Sequence, residues 1–578
     1  MRVFALLLLG LTLPALAQQK DDPAPEAATG FQHRTALTGQ DYMISVANPH
    51  AAFIGKNILQ RGGSAMDAAI AMQATLTLVE PQSSGIGGGA FILYWDNKIK
   101  KLHTFDGRET APNAVNANLF LDAQGRPAPW QDAVQGGRAV GTPGVLRALE
   151  LGHSKFGKLP WADLFFDAAR LAELGFEVSP RLAKLLEQEI HPGLKTLAPA
   201  RYYFYPFGKP LEQGTKLINE PLAKTLLAIG SQGADYFYKG PLAEHIVNAV
   251  QNSSINPGKL SAEDLATYRA KEREPVCTAY KVYRLCSMGP PSSGGLTVMQ
   301  MLLMLEDKGM EKLAPDSLEA VHLFTQASRL AFADRDMYMA DSDFTRLPYG
   351  VLISPTYTHS RGERINSRKD MGPARPGMPY PGYLMGGDDA IERPNTSHMS
   401  IVDSEGNAVS MTTTIEAGFG SGLMVNGFLL NNQMTDFSTN PKQGDRWVLN
   451  RIEPGKRPRS SMSPFMVFDE KGKLILVIGS PGGSRIINYV AQALIGVLDW
   501  KLDVQQAINL PHYTNVNRYT ELEAGTRLEA LKPALEKMGH RVVIRDLNSG
   551  LHGIEVFSNK LVGGADPRRE GAVVTRTE

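Results

Sequence analysis

The sequence predicts an α+β fold, and three observations carry that expectation. Met399–Asp403 and Ala408–Ile415, rich in β-branched residues, flank the turn Ser404-Glu405-Gly406-Asn407 as the arms of a β-hairpin. The region from Gly144 to about residue 270 is largely helical, with helices near 144–156, 162–175, 180–190, 220–229 and 241–252. Further along, strands Phe465–Phe468 and Leu474–Ile478 enclose an Asp-Glu-Lys-Gly turn and lead into a helix from Ile486 to about Trp500. At 578 residues and 43% apolar content, the chain has material for a large core in three to four domains, or fewer large ones.

The elements follow in order. Met1-Arg2, the apolar run Val3–Leu13 and Pro14-Ala15-Leu16-Ala17 have the three parts of a secretory signal. Cleavage is expected after Ala17, giving a periplasmic or secreted protein. The apolar run is too short to span a bilayer, so no stable membrane insertion is expected. Residues 18–40, rich in Gln, Asp, Pro and Ala, read as a disordered leader. Order begins with a strand at 43–47, then a helix from about His50 to Gln60 that stops at Gly62-Gly63. Ser64 with Asp67 is a capping-box start for a helix, Ala65 to about Val79, that is apolar nearly all round and therefore buried. The glycine run 85–89 lies between a helix and the strand Ala90–Trp95, the reverse of a dinucleotide fingerprint, so close backbone packing explains it better than a nucleotide. A Met/Leu-rich helix starts at Leu296, and another runs from about Ser317 to Met337. Residues 345–395, dense in Pro, Gly, Arg and Asp, read as a long exposed linker that ends at Asn395-Thr396. A strand is expected over Phe428–Asn432.

Thr396 stands at the mouth of the hairpin, and two readings are open. One is a β-forming residue at the start of a strand. The other is a chain cut before Thr396, whose new α-amine serves as base for its own hydroxyl. The amine's reference pKa of about 7.7–8.0 suits that task. His398, two residues on, shares a strand face with Thr396; a structural or orienting role is expected of it. Gly479-Ser480-Pro481-Gly482-Gly483-Ser484-Arg485 is a strand–glycine–helix passage, which could bind an anion, hold an oxyanion or simply turn tightly. Arg108 lies in a charged turn, either as a solvated charge or as a carboxylate clamp.

Composition narrows the function. Sixty basic and 59 acidic residues are dispersed, for a net charge of +1, so nothing suggests nucleic acid as a partner. There is no H-E-x-x-H, no clustered His/Asp set and no G-x-S-x-G elbow, and no metal or other cofactor is expected. Cys277 and Cys286 flank a strand-like run and could form a disulfide after export or remain two buried thiols.

Seven stretches together resemble the γ-glutamyltranspeptidase (glutathione hydrolase) family. They are Arg61–Ala69, Val79–Gly89, Pro290–Gly295, Leu430–Phe437, Ser460–Pro464, Gly479–Arg485 and Asp566–Arg569, and they span nearly all of the chain. The resemblance implies a four-layer αββα N-terminal-nucleophile hydrolase sandwich, formed jointly by two chains after self-cleavage at Asn395–Thr396. These would be a heavy chain, 41–395 beyond the leader, and a light chain, 396–578. It implies that Thr396 attacks the γ-amide of glutathione or a related donor, and that the acyl group passes to water, an amino acid or a peptide. Thr414 would orient the nucleophile, and Gly482 and Gly483 would form the oxyanion hole. Arg108, Ser460 and Ser461 would take the donor's α-carboxylate; Gln433 and Asp436 would take its α-ammonium.

Two features depart from the family pattern. Glu416 stands where many members have asparagine; as an acid it could pair with the ammonium. The loop Phe437–Arg457, a lid in many relatives, is shortened, which would leave the pocket more open. Rival readings are a glutaryl or cephalosporin acylase on the same scaffold and a non-catalytic periplasmic protein that binds γ-glutamyl compounds.

Overall fold

The hairpin around residue 400 is the centre of a seven-stranded antiparallel sheet. The computed structural model describes residues 26, 28–383, 385–390 and 392–576; the expected signal segment 1–17 lies outside them. The central strands are Ser397–Val402 and Ala408–Thr414, paired with Ser397 opposite Thr413 and Val402 opposite Ala408. Met43–Val46 and Ala572–Thr575 extend the sheet on one side, and Gly89–Asp96, Lys101–Gly107 and Lys271–Arg273 on the other. A second seven-stranded sheet runs in the order Leu37–Gly39, Leu561–Ala565, His552–Val556, Leu474–Gly479, Phe465–Phe468, Tyr283–Ser287, Val276–Tyr280.

The period-two alternation of side chains divides the core. Ala90, Ile92 and Tyr94 face helices Pro49–Gln60, Ala65–Val79, Val145–Phe156 and Asp163–Leu174, whereas Phe91, Leu93 and Trp95 face the second sheet. The sheets also meet through polar bonds: Ser400 Oγ donates to the His552 carbonyl at 3.0 Å, and Ser410 Oγ to the Ile478 carbonyl at 3.2 Å. Helices Gly294–Leu305, Leu318–Tyr338, Ile486–Leu498 and Val504–Asn509 pack with the second sheet on its outer side. The result is the four-layer αββα sandwich that the resemblance implied.

Several local expectations hold. All 15 residues of Ala65–Val79 are buried, and its capping box is complete, with Asp67 N–H on Ser64 Oγ at 3.1 Å and Ser64 N–H on Asp67 Oδ2 at 2.9 Å. A Cβ on Gly87 would lie 2.1 Å from the Leu429 carbonyl oxygen, and one on Gly88 2.0 Å from that of Thr414, so the glycine run does serve close backbone approach. Cys277 and Cys286 are joined in a disulfide across neighbouring strands.

Three expectations need correction. The leader, expected to be disordered over 18–40, contains the strand Leu37–Gly39, paired with Leu561–Ala565, and Glu26 is buried. Polar composition hides this order because ion pairs and an edge pairing, rather than an apolar face, hold the segment. Residues 345–395 are not an exposed linker. They include a helix, Pro355–Gly362, and bury Arg361 against Asp334 at 2.9 Å and Asp370 against Arg329 at 2.9 Å. The strand expected over Phe428–Asn432 shortens to Phe428–Leu429, because the Asn431 side chain bonds the carbonyls of Gly87 and Gly141 at 2.8 and 2.9 Å instead of continuing a ladder.

Candidate active site

The hairpin register brings Thr396 and Thr414 together. Thr396 directly precedes the strand that pairs with Ala408–Thr414, and Thr414 ends the partner strand. The two hydroxyl oxygens are 3.5 Å apart, and both donate to the Asn395 carbonyl, Thr414 at 3.2 Å and Thr396 at closer range. Thr414 Oγ1 in turn accepts the Glu416 N–H at 2.8 Å, which fixes its rotamer. The hydroxyl of Thr396 thus faces the carbonyl of its own preceding peptide.

Asn395 is anchored from the other side. Its Oδ1 accepts from Ser83 Oγ at 3.2 Å and Arg181 Nη2 at 3.1 Å. The buried Arg181 guanidinium forks onto Glu26 at 2.6 and 2.7 Å and also meets Glu80. Burial pushes Glu26 up, but Arg181 and Arg569 outweigh it and hold its carboxyl below the ordinary value. Burial dominates at Glu80, which is pushed up to about 7. Sequence reasoning missed this anchor.

Arg108, Glu416, Gln433, Asp436 and Ser460 line one cavity with the two threonines. The two expected poles, however, are bonded to each other. Arg108 Nη2 donates to Asp436 at 2.6 Å and to the Arg459 carbonyl at 2.9 Å, and its Nε donates to the Pro458 carbonyl at 3.2 Å. Gln433 Nε2 donates to the same Asp436 oxygen at 3.0 Å. Ser460 Oγ accepts the Met462 N–H at 3.1 Å, and Ser461 Oγ accepts Arg335 Nη2 at 2.7 Å. The resemblance groups these hydroxyls with Arg108 around the donor carboxylate; here Ser460 lines the cavity with Arg108, and Ser461 is held by Arg335. Burial pushes Asp436 up to about 6 although Arg108 pulls it down. Burial first, and the charge of Asp436 second, push Glu416 well above the usual carboxylate range.

Gly482 and Gly483 have φ of +135° and +59° and lead, through a 3₁₀ turn, into the helix Ile486–Leu498. A Cβ on Gly483 would lie 2.7 Å from the Arg393 carbonyl oxygen. That contact belongs to the segment 392–395, which fills the site. Glu392 Oε2 accepts the Ser461 N–H at 2.8 Å while its carboxylate meets Arg335, and Arg393 N–H donates to Glu416 Oε1 at 3.0 Å. Only about 20 Å³ of the cavity is left open, room for about one water. On the far side of Arg393, whose guanidinium lies over Trp130 at 4.1 Å, is a hollow of about 310 Å³.

His398 does not reach the reacting groups. It is buried between Thr412 Oγ1 at 2.9 Å and Ser400 Oγ at 3.1 Å, and burial drives its pKa far below the ordinary histidine value. The short loop Phe437–Arg457 contains a two-stranded ribbon, Lys442–Gln443 with Arg446–Trp447, whose Trp447 carbonyl accepts the Gly386 N–H at 2.9 Å.

Comparison with known proteins places this geometry in context. The family profile described as Gamma-glutamyltranspeptidase matches residues 51–575. A glutathione hydrolase proenzyme of Escherichia coli (strain K12) is 36% identical over 94% of this chain and 94% of its own length. The protein of that name from Bacillus subtilis (strain 168) is 34% identical over 99% of this chain and 97% of its own. Among solved structures, a cephalosporin acylase from Bacillus halodurans superposes with a TM-score of 0.84 at 27% identity, covering 96% of this chain and 99% of that one.

Proposed function

The chain belongs to the gamma-glutamyltranspeptidase family, and on that premise we propose that it is an exported, self-processing γ-glutamyl hydrolase and transferase. The observation that carries the reading is the convergence of the Thr396 and Thr414 hydroxyls on the Asn395 carbonyl. Self-cleavage begins when Thr396 Oγ1 bonds to the Asn395 carbonyl carbon. The C–N bond breaks, the nitrogen takes the hydroxyl proton, and water hydrolyses the resulting ester. The products are a heavy chain ending at Asn395 and a light chain, 396–578, with a free α-amine at Thr396, which stay together as a heterodimer.

That amine then accepts the Thr396 hydroxyl proton as Oγ1 attacks the γ-carbonyl of a donor such as glutathione. The departing amine takes the proton and leaves a γ-glutamyl ester, which water, an amino acid or a peptide resolves. The backbone N–H groups of Gly482 and Gly483 stabilise the oxyanion in both half-reactions, and Thr414 orients the nucleophile. Arg108, Ser460 and Ser461 receive the donor carboxylate. Glu416, Gln433 and Asp436 receive its ammonium, with Arg108 and Asp436 parting to do so. A cavity of about 20 Å³ holds no γ-glutamyl group, so the freed tail 392–395 must leave before turnover, which also joins the cavity to the hollow beside Trp130. Export rests on the signal-like Met1–Ala17 and is supported by the disulfide Cys277–Cys286.

The acylase reading draws on the similarity to the cephalosporin acylase. The test compares γ-glutamyl-p-nitroanilide with glutaryl-p-nitroanilide, which lacks the ammonium. Preference for the γ-glutamyl compound is expected. Faster turnover of the glutaryl compound would move the assignment to an acylase, and no turnover of either would favour a binding protein.

A further inference from the structure

The segment that fills the site has the polarity of the donor it excludes. Glu392 places a carboxylate on the Ser461 N–H at 2.8 Å and on the Arg335 guanidinium. The next residue places an N–H on Glu416 at 3.0 Å. A γ-glutamyl donor carries the same two poles, a carboxylate and a nitrogen donor, both on its α-carbon, whereas the segment spreads them over the Glu392 side chain and the 392–393 peptide. We propose that Arg335 is a further carboxylate-binding residue for the donor, and that Glu392 keeps its place in the uncut chain as a built-in substitute for the substrate. The inference rests on the γ-glutamyl reading above.

Two further facts point to Arg335. First, it is preorganised. The guanidinium is buried, with Nε on Ser293 Oγ at 2.9 Å, Nη1 on Asp336 at 2.9 Å and Nη2 on Ser461 Oγ at 2.7 Å, so these bonds hold its orientation toward the space that Glu392 fills. Second, the Glu392 carboxylate sits within reach of two buried guanidiniums, meeting Arg335 directly and lying 3.9 Å from Arg459; their other carboxylate partners are Asp336, 2.9 Å from Arg335, and Asp388, 3.0 Å from Arg459. Departure of the tail removes this carboxylate, and the donor's carboxylate takes its place. Arg335 adds a cation on the Ser461 side of the pocket, 2.7 Å from Ser461 Oγ, in addition to Arg108, which parts from Asp436 to receive the same carboxylate.

The test uses the mature wild-type enzyme and an Arg335→Gln variant. With γ-glutamyl-p-nitroanilide the variant is expected to raise KM about thirtyfold or more, the lower end of what loss of a buried charge partner does. With 4-aminobutanoyl-p-nitroanilide, which lacks the α-carboxylate, wild type and variant should differ little. Should the variant fail to mature, the wild-type enzyme and a peptide decide the matter. Acetyl-Glu-Arg-Pro-Asn is expected to inhibit competitively against γ-glutamyl-p-nitroanilide, and its Gln-Arg-Pro-Asn counterpart at least tenfold more weakly. An unchanged KM in the variant, or equal potency of the two peptides in an enzyme that turns over γ-glutamyl-p-nitroanilide, overturns the role of Arg335 and leaves the γ-glutamyl reading standing. Failure of wild type to turn over that donor overturns both.

Discussion

The two sides of the 395–396 peptide are held by different means. On the C-terminal side, Ser397–Val402 lies between Met43–Val46 and Ala408–Thr414, with every residue buried and ladders on both flanks. On the N-terminal side, residues 392–395 are held by ion pairs and hydrogen bonds: the Glu392 carboxylate, the Arg393 N–H, and Asn395 between Ser83 and Arg181. A ladder is cooperative and survives a cut at its end, whereas contacts made one at a time are given up one at a time. The proposed scission at this bond would therefore leave Thr396 fixed and free the segment that fills its cavity.

Substitution of Thr396 has the largest expected effect. Thr396→Ala should abolish both scission and γ-glutamyl turnover, read by denaturing gel and by p-nitroaniline release, because Thr396 carries both the hydroxyl on the Asn395 carbonyl and the nitrogen that would leave it. Thr414 donates to that carbonyl as well, but it follows no scissile peptide of its own. Gly483→Ala comes next. At φ +59°, a conformation that strains any L residue with a Cβ, it should lower kcat about a hundredfold or more through a displaced oxyanion donor. Arg181→Lys sharpens the comparison on the weaker side. It keeps a charge between Glu26 and Glu80 but gives up the fork that reaches Asn395. Self-cleavage followed over time should slow about ten- to hundredfold, as for loss of a charge-assisted hydrogen bond. The two chains expressed separately should be unaffected if Arg181 acts only on scission.

A pH effect separates the pocket from the nucleophile. Burial holds Asp436 above the ordinary carboxylate value, against the pull of Arg108 and with the help of Glu392; as pH falls it takes a proton and then offers the donor ammonium no charge. Affinity for a γ-glutamyl donor should therefore fall on the acid side, while a glutaryl analogue without the ammonium should show no such loss. The smallest effect is expected at the disulfide, on strands at one edge of the second sheet. Replacing Cys277 and Cys286 with serine should lower stability by about 2–3 kcal/mol or less, read as a lower Tm, with scission unchanged.

What could be read from the sequence followed local pattern. The hairpin, the buried helix with its Ser64–Asp67 box and the close-packed glycines each announce themselves within a dozen residues. Of the site residues matched to the family, Arg108, Thr396, Thr414, Glu416, Gln433, Asp436, Ser460 and Gly483 line one cavity, and Ser461 and Gly482 are not part of its lining. What escaped was built from partners far apart. Glu26 meets Arg181 across 155 positions, and Arg335 meets Glu392 across 57. No periodicity marks such pairs, and the polar composition that made 18–40 and 345–395 look like leader and linker is what supplies their buried charges. The bond between Arg108 and Asp436 also escaped, because a family pattern describes a pocket with its donor and this pocket holds its own tail.

The central claim is that Thr396 cuts the chain before it acts on any donor. Intact mass of freshly purified protein, beside Thr396→Ala, tests it most directly. The account predicts two masses for the wild type, the lighter one matching 396–578, and a single uncut chain for the variant. A wild-type protein that stays in one piece while folded and active on γ-glutamyl-p-nitroanilide would contradict it.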